Sequence, residues 1–100
     1  MLTKKEIITK IEQHKEKIRS LGVKKLTLFG SYARGEAKKT SDIDFLVEFK
    51  KGRGLFDDYS GLLNFLEDLF HKKIDLGEPK LIRSEFKESI LGGQKVEARI

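Results

Sequence analysis

Cysteine is absent from the 100 residues, which excludes a disulfide framework and a thiol nucleophile. Tryptophan is absent as well, and the one methionine is the first residue. No long apolar run occurs, so neither a membrane-spanning helix nor a membrane partner is expected. No signal-peptide pattern is seen either, and the chain reads as soluble and cytoplasmic. The length fits one domain over residues 1–100 with a small core, leaving no material for a separate substrate domain. Histidines are few. His14 sits on an apolar helical stripe and His71 at a helix end, and neither has a Cys or His partner at metal spacing, so no zinc site is expected. Dense basic tracts are also missing. The net charge of +5 favours acidic partners in general. The lysines, however, are spread from Lys4 to Lys95 and interleaved with acids, which describes a solvated surface and not a nucleic-acid platform.

What is present is a clear alternation of helical and extended patterns. Thr3-Lys4-Lys5-Glu6 fits a capping box. Ile7, Ile11, His14, Ile18 and Leu21 follow at helical spacing, and Gly22 ends that helix. Val23 to Phe29 is the first strand, and a short helix starting at Ser31 carries Tyr32 to Glu36 and stops at Gly35. Ile43 to Phe49 is the second strand, with Phe45 and Val47 assigned to the face opposite Ile43 and the Asp42 and Asp44 carboxylates to the Leu46 side. A basic, glycine-containing loop, Lys50 to Gly54, precedes a helix from about Phe56 to about Phe70 with the stripe Phe56, Tyr59, Leu62, Leu63, Leu66, Leu69 and Phe70. Lys73 to Leu76 is a short third strand. Pro79 breaks the chain, Ser84 to Leu91 reads as a last helix stopped by Gly92-Gly93, and the tail from Gln94 is frayed or weakly extended. The order α-β-α-β-α-β gives an α/β (α+β) domain with one three-stranded sheet and helices packed on it. Periodicity leaves the strand directions open.

The chemistry is concentrated in two short segments. Leu28-Phe29-Gly30-Ser31 runs from a strand into a Gly-Ser turn; ten residues later comes Asp42-Ile43-Asp44-Phe45-Leu46-Val47. Residues i and i+2 of a strand share a face, so both carboxylates point the same way. Side by side they repel unless a cation lies between them. Mg²⁺ suits such a pair, because it prefers oxygen ligands and is commonly held by one or two carboxylates plus substrate phosphates. Gly30 and Ser31 offer backbone N–H groups and a hydroxyl at a helix start, where anions bind well. Each segment alone has an ordinary explanation, a solvated turn or a turn with an N-cap. In this order, with a strand before each, they point to a phosphate-and-metal site. Asp75, in the third strand, is a further carboxylate that fits. Arg34 either touches phosphate or pairs with Glu36, and Ser41 orders the turn before Asp42; with Gly30 and Ser31 they form the candidate nucleotide-binding set. Arg53, between two glycines, either closes over a nucleotide or is a solvated loop cation.

This arrangement resembles the DNA polymerase β nucleotidyltransferase superfamily, and within it the minimal nucleotidyltransferase (MNT) domains. Gly30-Ser31-Tyr32-Ala33-Arg34-Gly35-Glu36-Ala37, Ser41-Asp42-Ile43-Asp44-Phe45-Leu46-Val47 and Lys72-Lys73-Ile74-Asp75-Leu76 carry the likeness, which runs from about Thr3 to about Leu91. Gly77 departs from it, where the family usually has an apolar residue, and is expected to shorten the third strand. The resemblance implies a mixed sheet in the order 1-2-3 that sets Asp75 beside the Asp42/Asp44 strand. It implies Asp42, Asp44 and Asp75 as catalytic and metal ligands for two Mg²⁺ ions, with Mn²⁺ as a substitute. It also implies transfer of a nucleoside monophosphate, AMP from ATP, to a hydroxyl, with Asp75 as general base. MNT proteins are commonly antitoxins paired with a HEPN-domain toxin, which makes a HEPN protein the expected partner and acceptor. Two alternatives stay open: a non-catalytic antitoxin that binds and masks its toxin, and a small-molecule transferase of the aminoglycoside-modifying kind. The last would need a further domain or a homo-oligomer to build its acceptor pocket.

Overall fold

The computed structural model describes residues 2–79 and 94–100. The first helix begins as its capping box requires. Thr3 Oγ1 accepts from the Glu6 N–H at 3.2 Å, and Glu6 Oε1 accepts from the Thr3 N–H at 3.1 Å. The helix does not run on to Gly22, however. It ends as α1 (Lys4–Gln13) and restarts as α2 (Lys15–Ser20). His14 is the cause. Its ring Nδ1 lies 2.8 Å from the Lys10 carbonyl, the partner that the His14 N–H would take in a continuous helix, and that N–H turns to Ile11 instead. A carbonyl can only accept, so Nδ1 carries the proton. Ile7, Ile11 and Ile18 stay on one buried face across the break.

Four strands form one sheet in the order β3-β2-β1-β4. β1 (Val23–Phe29) pairs antiparallel with β2 (Ile43–Phe49), matching Leu28 to Phe45 and Phe29 to Asp44. α4 (Phe56–Phe70) supplies the crossover that β3 (Ile74–Gly77) needs to lie parallel to β2, matching Asp44 to Asp75. β4 (Val96–Ala98) pairs antiparallel with β1 and buries Ala98. The sheet is therefore mixed, as expected, but has four strands where three were expected. The extra one comes from the tail, whose three residues are too few to show alternation.

One face of the sheet carries the core. Leu26, Leu28, Ile43, Phe45 and Val47 are fully buried in the same cluster as Ile7, Ile11, Ile18, Leu62 and Leu66. Placing Ile43 opposite Phe45 and Val47 is thereby corrected, since the two-residue strand period puts all three together. Asp44, Leu46 and Glu48 take the other face. Gly77 does not shorten β3: it is the last paired residue, opposite Leu46. In α4, Leu62, Leu66 and Phe70 are buried, whereas Phe56 of the expected stripe stands out in solvent with Leu55. The expected helix from Ser84 to Leu91 lies outside the described residues. Among the described residues no helix is long and apolar enough to cross a membrane.

Candidate active site

The site is assembled at the end of the sheet where β1 stops and β2 and β3 begin. Gly30 opens α3 (Gly30–Arg34) directly after β1, and the first turn of this helix has no side-chain cap. Gly35 closes it in the left-handed conformation, φ 73°. Gly30 itself has φ 75°, and a Cβ there would overlap the Asp44 carboxylate and stand 3.1 Å from Asp44 Cβ. Two independent demands thus fall on one residue, a positive φ and close approach of backbone to a carboxylate.

The turn before β2 is closed on itself. Ser41 Oγ accepts from the Lys38 N–H at 2.8 Å, and the Ser41 N–H donates to the Lys38 carbonyl at 2.9 Å. Ser41 thus orders the turn that delivers Asp42. Ladder pairing between β2 and β3 starts with the Ile43 N–H on the Lys73 carbonyl at 3.1 Å. Asp44 and Asp75 are direct neighbours across this parallel pair, so their side chains emerge on the same face about 4.8 Å apart at the backbone. Asp42 precedes Asp44 by the strand period and is half-buried like it, while Asp75 is exposed.

The electrostatics follow from this crowding. Burial pushes the Asp44 carboxyl up to about 6, and the charges of Asp75 and Asp42 and a hydrogen bond shared with Asp75 push the same way; Arg34 opposes them only in part. The Asp44 shift has a defined sign for stability. In the metal-free protein its contribution is fully present below about 3.8 and is lost as pH rises through about 6. Thermal midpoints in EDTA should accordingly fall more steeply between pH 4 and pH 6 for the wild type than for Asp44→Asn, and parallel curves would remove Asp44 as the cause.

Among the described residues no three Asp, Glu, His or Cys side chains stand converged as a finished metal cage. Instead Asp44 and Asp75 stand side by side in register on one face of β2 and β3. The carboxylate oxygens nevertheless suit a hard cation, and the uncapped helix start beside them suits an anionic phosphate. Arg34 is paired with Glu36 through Nε at 2.6 Å, the second of the two expectations for it. Arg53 is not at the site. It grips Asp58 with both Nε and Nη2 at 2.9 and 2.8 Å and reaches the Ser20 carbonyl, at the end of the sheet where Val23 meets Phe49. Five residues of strand, about 17 Å, separate that end from Asp44. Tyr59 was not foreseen: its hydroxyl donates to the Leu76 carbonyl, next to Asp75, and burial together with the Asp75 and Glu78 charges raises its pKa. Lys72, also unforeseen, bridges two segments of the site.

Comparison with known proteins agrees with the geometry. The model of the nucleotidyltransferase domain family matches residues 11–96. The chain belongs to this family. As a nucleotidyltransferase it is 37% identical over 92 residues to protein adenylyltransferase MntA of Thermococcus cleftensis, covering 91% of this chain and 92% of that one. A solved structure assigned as a minimal nucleotidyltransferase superposes with a TM-score of 0.77 at 29% identity, over 93% of this chain and 94% of the other. The fold is shared, at 18% identity and a TM-score of 0.60 over 90% of this chain and 70% of the other, with a structure of a tri-AMPylated Shewanella oneidensis HEPN toxin in complex with MNT antitoxin. In this nucleotidyltransferase, then, the Gly-Ser turn and the three carboxylates occupy one end of one sheet.

Proposed function

We propose that the protein is the antitoxin of a HEPN/MNT pair and transfers AMP from ATP to a hydroxyl of its HEPN-type toxin, with Mg²⁺ as cofactor (Mn²⁺ in its place). The observation that carries this reading is the abutment of Gly30 on Asp44, itself paired in register with Asp75. It is supported by the relative named as a protein adenylyltransferase and by the AMPylated toxin bound to its MNT antitoxin.

Asp42, Asp44 and Asp75 are the residues that would hold the metal. When bound, the metal neutralises charge on the phosphates and lowers the pKa of the attacking hydroxyl. The Gly30 and Ser31 N–H groups and the Ser31 hydroxyl hold the terminal phosphates. The acceptor oxygen attacks the α-phosphorus, the bond from that phosphorus to the pyrophosphate oxygen breaks, and pyrophosphate leaves. The hydroxyl proton passes to Asp75, the exposed member of the three and the one a protein acceptor can reach. Among the described residues Asp75 is exposed, and a partner protein seated there supplies the hydroxyl.

Co-expression with the product of the adjacent gene, followed by intact-mass measurement, is the test. One or more added AMP groups on the partner, lost with Asp42→Asn, is the expected result. A stable complex that is never modified favours a masking antitoxin, and efficient transfer to free aminoglycosides favours a small-molecule enzyme.

A further inference from the structure

Lys72 lies in the link between α4 and β3 and is half-buried. Its ammonium donates to the Lys39 carbonyl at 2.9 Å, across 33 residues of sequence, and stands 6.0 Å from the centre of the Tyr32 ring. Each contact belongs to a different part of the site. Tyr32 is in the short helix opened by Gly30 and Ser31. Lys39 is inside the turn that Lys38 and Ser41 close immediately before Asp42. Lys72 itself is three residues before Asp75, in the segment whose next carbonyl, that of Lys73, begins the ladder with Ile43.

The turn holding Lys39 is tied to the core on one side by Ala37, and the Lys39 carbonyl offers Lys72 a backbone target on the other. Tyr32 is buried, 2% exposed, so the ring under the ammonium cannot swing away. The Tyr32 hydroxyl has no hydrogen-bond partner among the described residues, so what the tyrosine offers here is its ring face.

We infer that Lys72 is a positioning residue: it pins the turn that delivers Asp42 against the Gly30–Ser31 helix, and through Asp42 sets how readily the site fills with metal. The second half rests on the proposed metal role of Asp42; the first half does not. Lys73, the exposed neighbour, removes the same charge when substituted and has no such contacts among the described residues, which makes it the control.

The experiment compares wild type, Lys72→Met, Lys72→Arg and Lys73→Met in the full chain. Amide hydrogen exchange is read over residues 38–42, and ATP binding by calorimetry is read across a Mg²⁺ titration. Lys72→Met should speed exchange in the turn and raise the Mg²⁺ needed for half-maximal ATP binding about tenfold, at an unchanged thermal midpoint. Affinity at saturating Mg²⁺ should stay near wild type. Lys72→Arg keeps a cation, a donor and a planar group over the ring, so it should restore both readouts, and Lys73→Met should move neither. Unchanged exchange in the turn overturns the inference. So does weaker ATP binding at saturating Mg²⁺, which would make Lys72 a phosphate ligand. If the wild type binds ATP equally in EDTA and in Mg²⁺, the metal reading fails, and the exchange data still decide whether Lys72 holds the turn.

Discussion

Gly30→Ala should lower AMP transfer by about 10²-fold or more while leaving a folded protein, and Gly35→Ala should not. Both glycines adopt a positive φ, 75° and 73°. Each alanine therefore incurs the same backbone penalty, roughly 1–2 kcal/mol for a left-handed residue with a Cβ. They differ in their surroundings. At Gly35 an added Cβ meets nothing within 4 Å, whereas at Gly30 it overlaps the Asp44 carboxylate. Asp44 must then turn away or the Gly-Ser backbone must lift, and a displacement of about 1 Å at a reacting centre can cost 10²-fold. Urea denaturation should find Gly30→Ala at least as destabilised as Gly35→Ala but still folded, and a transfer assay on the co-purified partner should separate them by far more than their stabilities do. Equal activity would mean that the closeness of Gly30 to Asp44 has no part in the chemistry.

The features legible in the sequence were those written in local runs. The capping box at Thr3, the Gly-Ser turn, the two central strands and the extent of α4 all rest on patterns within a dozen residues. Features that depend on remote partners were not legible. The break at His14 needs a ring nitrogen to win the Lys10 carbonyl, which spacing does not disclose. β4 is three residues long and exists only because β1 offers a free edge far away in sequence. Arg53, between two glycines, could be read from sequence either as closing over a nucleotide or as a solvated loop cation; Asp58 and the Ser20 carbonyl hold it at the opposite end of the sheet. Asp42 and Asp44 stood out by their spacing. Their neighbour Asp75 did not: its place depends on β3 lying parallel to β2, a direction that periodicity left open and family resemblance supplied. Lys72 and Tyr59 act through backbone carbonyls, and a carbonyl leaves no mark on residue identity.

Asp44→Asn should separate activity from stability. In the metal-free protein near neutral pH, Asp44 is ionised although it is desolvated and flanked by Asp75 and Asp42, which is why its carboxyl titrates at about 6. An asparagine is nearly the same size, carries no charge and can donate its amide N–H to Asp75, so the repulsion is relieved. The thermal midpoint in EDTA at pH 7.5 should rise above that of the wild type. Activity should move the opposite way. Metal-assisted charge stabilisation is worth several kcal/mol, so losing a ligand should slow transfer by at least about 10²–10³-fold. Mg²⁺ with ATP should raise the midpoint of the wild type and leave that of the variant nearly unmoved, since a carboxamide is a poor ligand for a hard cation. A midpoint in EDTA that falls would show that Asp44 is a stabilising residue and not a strained one. Transfer that survives within about tenfold would place the metal elsewhere. The two measurements fail independently, so a more stable yet fully active variant would keep the electrostatic account of the carboxylate cluster while removing its proposed role in holding metal.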